Sequence, residues 1–240
     1  MLNNQTLKIK SKYFRSFAVL RRHLYYRRFL NYNFSMITRE LIIETATKSF
    51  IENGVKSVTI DKIVKELHTS KRTLYTHFKD KVELLGACLE DYNQKVKVEN
   101  EAIIESADNV IEAMAKLHHQ IVRRSYEVNP NFFQDVQAFY PNVLNDSYKN
   151  TGKYAHAQLI KLAIWGIEEG IFRSDLDIEV VGQTVLVMQK LLKDKTKFPI
   201  SEFSIERLTF GTLVPYLRGL CTLKGREILE IQEELFKVSI

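Results

Sequence analysis

"TSKRTLYTHFKDKVEL", residues Thr69 to Leu84, sets Lys71, Arg72, Lys79 and Lys81 beside Tyr75 and His77. Leu74 and Phe78 stand four apart within it, the spacing that puts two apolar side chains on one face of a helix. With those two pointing inward, Lys71, Arg72, Thr73, Tyr75, Thr76 and His77 are left outward. Ser70 and Asp80 are good N-caps, so a short helix opens at Ser70 and a new one at Asp80, where Glu83 supplies a capping-box partner. A solvated charged face is one reading of the outward set. A surface for phosphates and base edges is the other, and it gives a tyrosine and a histidine partners that water alone does not.

Upstream, Ile60, Ile63, Val64 and Leu67 recur at the spacing of a helix with one apolar stripe. Thr59 caps it, and Asp61 in the first turn suits the helix dipole. Before that, Leu41, Ile42, Ala46 and Phe50 mark a helix from a cap at Thr38 to a stop at Asn53-Gly54. Two short helices joined by a tight turn, the second showing a basic and aromatic face, make a helix-turn-helix.

The whole chain of 240 residues has only 9 Gly and 4 Pro, and no alternating run bounded by turn signals competes for strand. An all-α protein is expected, its helix-turn-helix over 36–82 and a helical regulatory and dimerisation bundle over 83–240. Helices are expected at about 81–105, 108–127, between the prolines at 130 and 141, and at 141–170, 177–194, 202–222 and 224–236, with a kink at Pro215. No phosphate-binding glycine loop, nucleophile elbow or zincin motif occurs, so the chain is not expected to be an enzyme or to hold a cofactor. His118 and His119 are adjacent and lack a partner at metal-ligand spacing, so no metal is expected. A helical enzyme and a non-specific DNA-binding protein stand as the alternatives. Cys88 and Cys221 show neither metal nor disulfide spacing, which fits buried thiols in a reducing cytoplasm.

Charge is unevenly placed. Of 35 Lys and Arg, eight fall in residues 1–35, which contain no acid, while the residues after 85 carry more acid than base. A nucleic-acid surface is therefore sought near the front. The stretch 1–35 has no apolar run long enough for a signal peptide, and nothing in the chain reaches transmembrane length, so no membrane partner is expected. Three readings of 1–35 stay open: a start upstream of a natural beginning at Met36, a basic arm that adds DNA affinity, and a membrane-surface helix.

The segment Ile43 to Leu85 resembles the DNA-binding domain of the tetracycline-repressor (TetR/AcrR) family of bacterial transcriptional regulators. Ala46, Phe50, Gly54, Thr59, Ile63, Ser70, Leu74-Tyr75, His77-Phe78, Lys81 and Leu84 carry the match. "WGIEEGIFRSDLD", residues 165–177, is similar to the junction of two long helices in the family's regulatory domain. The resemblance implies that Thr59 touches phosphate, that Lys71, Arg72, Thr73 and Thr76 on the helix opened by Ser70 face the major groove, that Tyr75 and His77 hold backbone, and that Lys81 pins a phosphate. It implies a homodimer on a palindromic operator, with half-sites one helical turn apart, and release when a small-molecule effector shifts the connecting helix. His68 departs from the pattern by standing where the family usually has glycine. A left-handed turn there is tolerable for histidine.

In the second half, ordinary core packing is the simplest reading of Tyr126, Phe132, Phe133, Phe139, Tyr140 or Trp165 taken singly. Together, around a proline-bounded helix, they are the candidate walls of an apolar effector cavity. Val181, Val185, Met188 and Leu192 form a stripe at helical spacing, and with Gly211, and Gly182 for close approach, they are the candidate dimer face.

Overall fold

The computed structural model describes residues 37–192, 197–199 and 201–237. The basic stretch 1–35 lies outside the described residues, with the three readings given to it. Residues 1–38 and 39–240 are separate units, and all that follows concerns the second. It is all-α, with no named strand among the described residues.

Helices α1 (Arg39–Asn53), α2 (Ile60–Glu66) and α3 (Lys71–Tyr75) pack around Ile42, Ala46, Phe50, Val55, Val58, Ile63 and Leu74, all fully buried, with Phe78 closing the base. Gly54, at φ 79°, ends α1 in the left-handed conformation that glycine adopts freely, and its N–H donates to the Phe50 carbonyl at 2.9 Å. The next helix, α4 (Lys81–Glu105), buries only its first turns, through Leu84, Leu85, Cys88 and Leu89. Its later turns meet α5 (Val110–Glu127), where Arg124 donates to Glu99 at 2.7 Å and Gln120 donates to the same oxygen at 2.7 Å.

Beyond α5 come α6 (Asn131–Phe139), α7 (Pro141–Glu168) and α8 (Ile178–Leu192). The chain then runs through α9 (Ile205–Leu208), a π turn (Thr209–Leu213), α10 (Val214–Leu220) and α11 (Leu223–Gln232), and ends in a 3-10 turn at Glu233–Phe236. A second core forms here, in which Ile111, Leu162, Ile171, Phe172, Leu217, Leu229 and Phe236 are buried and Trp165 packs against them. "WGIEEGIFRSDLD" is its hub. Gly170, at φ 67°, reverses the chain, and the N–H groups of Ile171 and Phe172 both donate to the Gly166 carbonyl at 2.8 Å. A Cβ on Gly166 would enter the Phe172 ring, so only glycine fits.

Pro215 disrupts its helix in another form than a simple kink. Lacking an N–H, proline cannot sustain the regular ladder. The turn before it widens to π geometry, and the Val214 N–H donates to the Thr209 carbonyl. Thr209 is buried, its hydroxyl donating to the Ile205 carbonyl at 2.9 Å and lying 2.8 Å from His118 Nε2. With that hydroxyl proton committed, the oxygen accepts, so His118 is the neutral Nε2–H tautomer. Burial, with His119 adding repulsion, pushes the His118 pKa down to about 4.

Candidate nucleic-acid interface

Each end of the helix-turn-helix is fixed by a side chain that satisfies a helix N-terminus. Thr59 Oγ1 accepts from the Lys62 N–H at 3.2 Å, and Ser70 Oγ accepts from the Thr73 N–H at 3.1 Å. At α4 the box closes both ways, Asp80 accepting from the Glu83 N–H at 2.8 Å and Glu83 from the Lys79 N–H at 2.7 Å. Between α2 and α3, His68 takes φ 51°, the one positive value for a non-glycine among the described residues. The departure from glycine therefore keeps the left-handed turn, at a strain of about 1 kcal/mol.

With Leu74 and Phe78 buried, α3 presents Lys71, Arg72, Tyr75 and Thr76 to solvent, with Thr73 and His77 half-buried beside them. Their hydrogen bonding sorts them further. Ser70 and Thr73 bond each other through their hydroxyls at 3.0 Å, and the Thr76 hydroxyl donates to the Thr73 carbonyl at 2.6 Å. These three are partly engaged in holding the short helix. Arg72 has no carboxylate partner among the described residues, and the Tyr75 ring is half exposed, so both are available to a ligand. Thr59 is exposed at the α2 cap, its hydroxyl proton still available.

Two basic residues already have partners within the chain. Lys81 Nζ donates to the Val55 carbonyl at 2.7 Å and lies 5.7 Å from the Phe50 ring centre and 6.0 Å from that of Tyr140. Burial lowers its pKa, opposed by the Asp135 carboxylate. Its ammonium is thus satisfied inside the chain, because α4 starts beneath the loop that carries Val55. Lys71 Nζ sits 2.9 Å from Asp61 Oδ1, a partner that the sequence reading credited only with a helix-dipole role. Residues ten apart across a turn meet only once the turn's geometry is known.

The interface is tied to the bundle through α6. Asp135 accepts from the Lys56 N–H at 2.7 Å, Asn129 donates through its backbone to the Ile51 carbonyl at 2.8 Å and through its amide to that of Glu52 at 3.1 Å. Phe139 lies under Lys56, with 5.3 Å from Nζ to the ring centre.

The six aromatics expected to wall one cavity do not converge. Phe132 points inward against α1, edge-on to Phe133 at 5.0 Å, and with Phe50, Cys88 and Tyr92 it lines a void of about 10 Å³. That is room for about one water. Tyr126, Phe133 and Phe139 are exposed, Tyr140 lies by Lys81, and Trp165 belongs to the second core. Phe133 is turned about 100° away from Phe132 around α6, and Phe139, although two turns on from Phe132 on the same side, stands exposed at the far end of the helix beside Lys56.

The expected dimer stripe is also turned. Val185 is 2% exposed, and Val181 and Met188 pack on the second core. Gly182 serves packing within the chain, since a Cβ there would lie 3.2 Å from Ile160 of α7. Leu192 is half-buried, while Gly211 is exposed with nothing near the place of a Cβ. The face of α8 that does reach solvent carries Val180, Thr184, Val187 and Leu191, and with His156, Glu179 and Gln183 much of it lines an open groove.

The family model "Bacterial regulatory proteins, tetR family" matches residues 42–88. "Uncharacterized HTH-type transcriptional regulator YhgD" of Bacillus subtilis (strain 168) is 31% identical over 94 residues, 39% of this chain and 46% of its own. The chain thus spans about half the length of that relative. "HTH-type transcriptional repressor KstR2" of Mycolicibacterium smegmatis is 23% identical over 154 residues, 60% of this chain and 71% of its own. Among solved structures, a TetR-family transcriptional regulator from Cytophaga hutchinsonii superposes with a TM-score of 0.62 at 14% identity, over 77% of this chain and 94% of that one. At that identity the likeness speaks for the fold.

Proposed function

We propose that the chain, whose residues 42–88 match the model of the tetR family of bacterial regulatory proteins, is a ligand-responsive transcriptional repressor, bound to a palindromic operator as a homodimer and released by a small molecule. The observation that carries this is the α3 face, where Arg72 and Tyr75 stand free on a helix whose other side is fully buried. A guanidinium suits a guanine edge or a phosphate, and a half-exposed tyrosine suits the sugar-phosphate backbone.

The dimer uses the outward face of α8. Val180, Thr184, Val187 and Leu191 recur at helical spacing, and exposed Gly211, Pro215 and Gly219 leave the neighbouring helix smooth enough for close approach. A twofold pair of such faces sets the separation of the two α3 helices, which an operator reads as half-sites roughly 34–36 Å apart. The effector acts in the bundle of α5–α11. Its polar anchor is the His118–Thr209 pair at the π turn, and the next residue of α5, His119, has its Nε2 buried without a hydrogen-bond partner among the described residues. Movement there reaches the DNA-binding part through α6 and the turn before it, where Asp135 holds Lys56 of the α1–α2 loop and Asn129 bonds the Ile51 and Glu52 carbonyls at the end of α1. The cytoplasm is the compartment for such a protein, and no helix among the described residues is long and apolar enough to cross a membrane.

The test is selection from a random duplex library, followed by affinity measurements on the recovered sequence and a scrambled one. A recovered palindrome held roughly a thousandfold or more above the scrambled duplex supports the reading. Equal affinity on both would replace it with non-specific DNA binding.

A further inference from the structure

The geometry points to Asp61 as a specificity-determining residue of the DNA interface, acting through Lys71. This rests on the DNA-binding reading above. Asp61 lies in the first turn of α2, and its Oδ1 is 2.9 Å from Lys71 Nζ at the first residue of α3, with the two side chains 71% and 53% exposed. An ion pair this open to water adds little to stability. The geometry of α2 against α3 is set instead by buried Ile63, Val64, Leu67 and Leu74. The pair therefore needs another reason to sit on a face that meets a polyanion.

Recognition supplies one. A carboxylate near DNA is repelled unless a cation shields it or a base amine reaches it. Asp61 holds the Lys71 ammonium by one oxygen, and the other, Oδ2, has no hydrogen-bond partner among the described residues. Lys71 retains further N–H donors. On the right sequence the lysine donates to guanine O6 or N7 while the carboxylate accepts from cytosine N4, and the pair stays intact. On a wrong sequence the lysine can gain only by leaving for a phosphate, which strands the carboxylate against the backbone. Asp61 thus penalises wrong duplexes more than it helps the right one, and specificity is that difference. It also predicts a guanine and a cytosine within reach of the first turn of α3 in each half-site.

The experiment compares the parent chain, Asp61→Asn, Lys71→Gln and the double variant on the parent-selected operator and a scrambled duplex over a salt series. Thermal unfolding confirms that each is folded. Asp61→Asn should tighten binding to the scrambled duplex and steepen its salt slope by about 0.9, because the freed lysine neutralises one more phosphate. The operator preference should fall roughly tenfold or more, the worth of one base-edge contact. In the Lys71→Gln background, Asp61→Asn should leave the salt slope unchanged. Parent-like preference and slope, equal tightening on both duplexes, or the same slope change without Lys71 would each overturn the proposal. A parent that selects no duplex removes the DNA-binding reading and this inference with it. A parent that selects an operator while Asp61→Asn behaves like it removes the inference alone.

Discussion

Acid should weaken the fold through His118, by an amount that follows from its surroundings. The imidazole donates from Nε2 to Thr209 Oγ1 at 2.8 Å and tilts against the Phe236 ring with 6.4 Å between centres. Burial pulls its pKa from 6.5 to about 4. The folded value lies below the unfolded one, so the unfolded chain takes up a proton that the folded chain refuses. Stability from this group is complete above about pH 6.5 and is lost as pH falls toward 4. With those two values, linkage removes about 1.4 kcal/mol between pH 7.5 and 5.5, and about 2.5 kcal/mol by pH 4.5. His118→Gln is the informative perturbation, since an amide N–H can still donate to Thr209 but has no charge to gain. Urea unfolding of parent and variant at pH 7.5 and 5.5, at one fixed protein concentration, isolates the histidine because all other titrating groups are shared. The parent should lose about 1.4 kcal/mol more than the variant over that interval. Equal losses would refute the neutral, buried tautomer.

The remaining predictions concern surfaces. Val180→Glu with Val187→Glu should give folded monomers by sedimentation equilibrium, whereas Val185→Glu, buried at 2% exposure, should unfold the bundle, losing several kcal/mol. A folded dimer from the first pair moves the interface elsewhere. Arg72→Ala should weaken operator binding by about 1–3 kcal/mol and relax preference at one position per half-site, while Tyr75→Ala weakens all duplexes alike. Uniform loss from both would merge the two roles. Lys81→Met should lower stability by about 1 kcal/mol by leaving the Val55 carbonyl unpaired, with the salt slope of binding unchanged. A slope shallower by about 0.9 would show that Lys81 exchanges its carbonyl for a phosphate, as the family resemblance implies.

What could be read from the sequence was what neighbours decide. The caps at Thr59, Ser70 and Asp80 need only the residues three ahead of them, and each bonds as its type predicts. The left-handed turn at His68 followed from the resemblance, which places a glycine there, and the backbone keeps it. The outward face of α3 followed from Leu74 and Phe78 alone. Where the reading slipped, the deciding partner lay far along the chain. Lys81 is held by a carbonyl 26 residues back. The aromatics near α6 are neighbours in sequence, but a short helix spreads neighbours around its axis.

Helix α8 is the sharper case, because Val180, Val181, Val185, Val187, Met188, Leu191 and Leu192 make it apolar nearly all round. A helix with one apolar stripe announces its buried face. One with two announces only that both want cover. The rotation is set by Gly182, the point where α7 comes close enough that a Cβ would meet Ile160 and His156. That contact turns Val185 inward and leaves Val180, 59% exposed, and Val187, 57% exposed, without cover among the described residues. Two apolar stripes were thus legible in the composition of α8, while the rotation that buries one and exposes the other rests on a glycine whose partner lies on another helix.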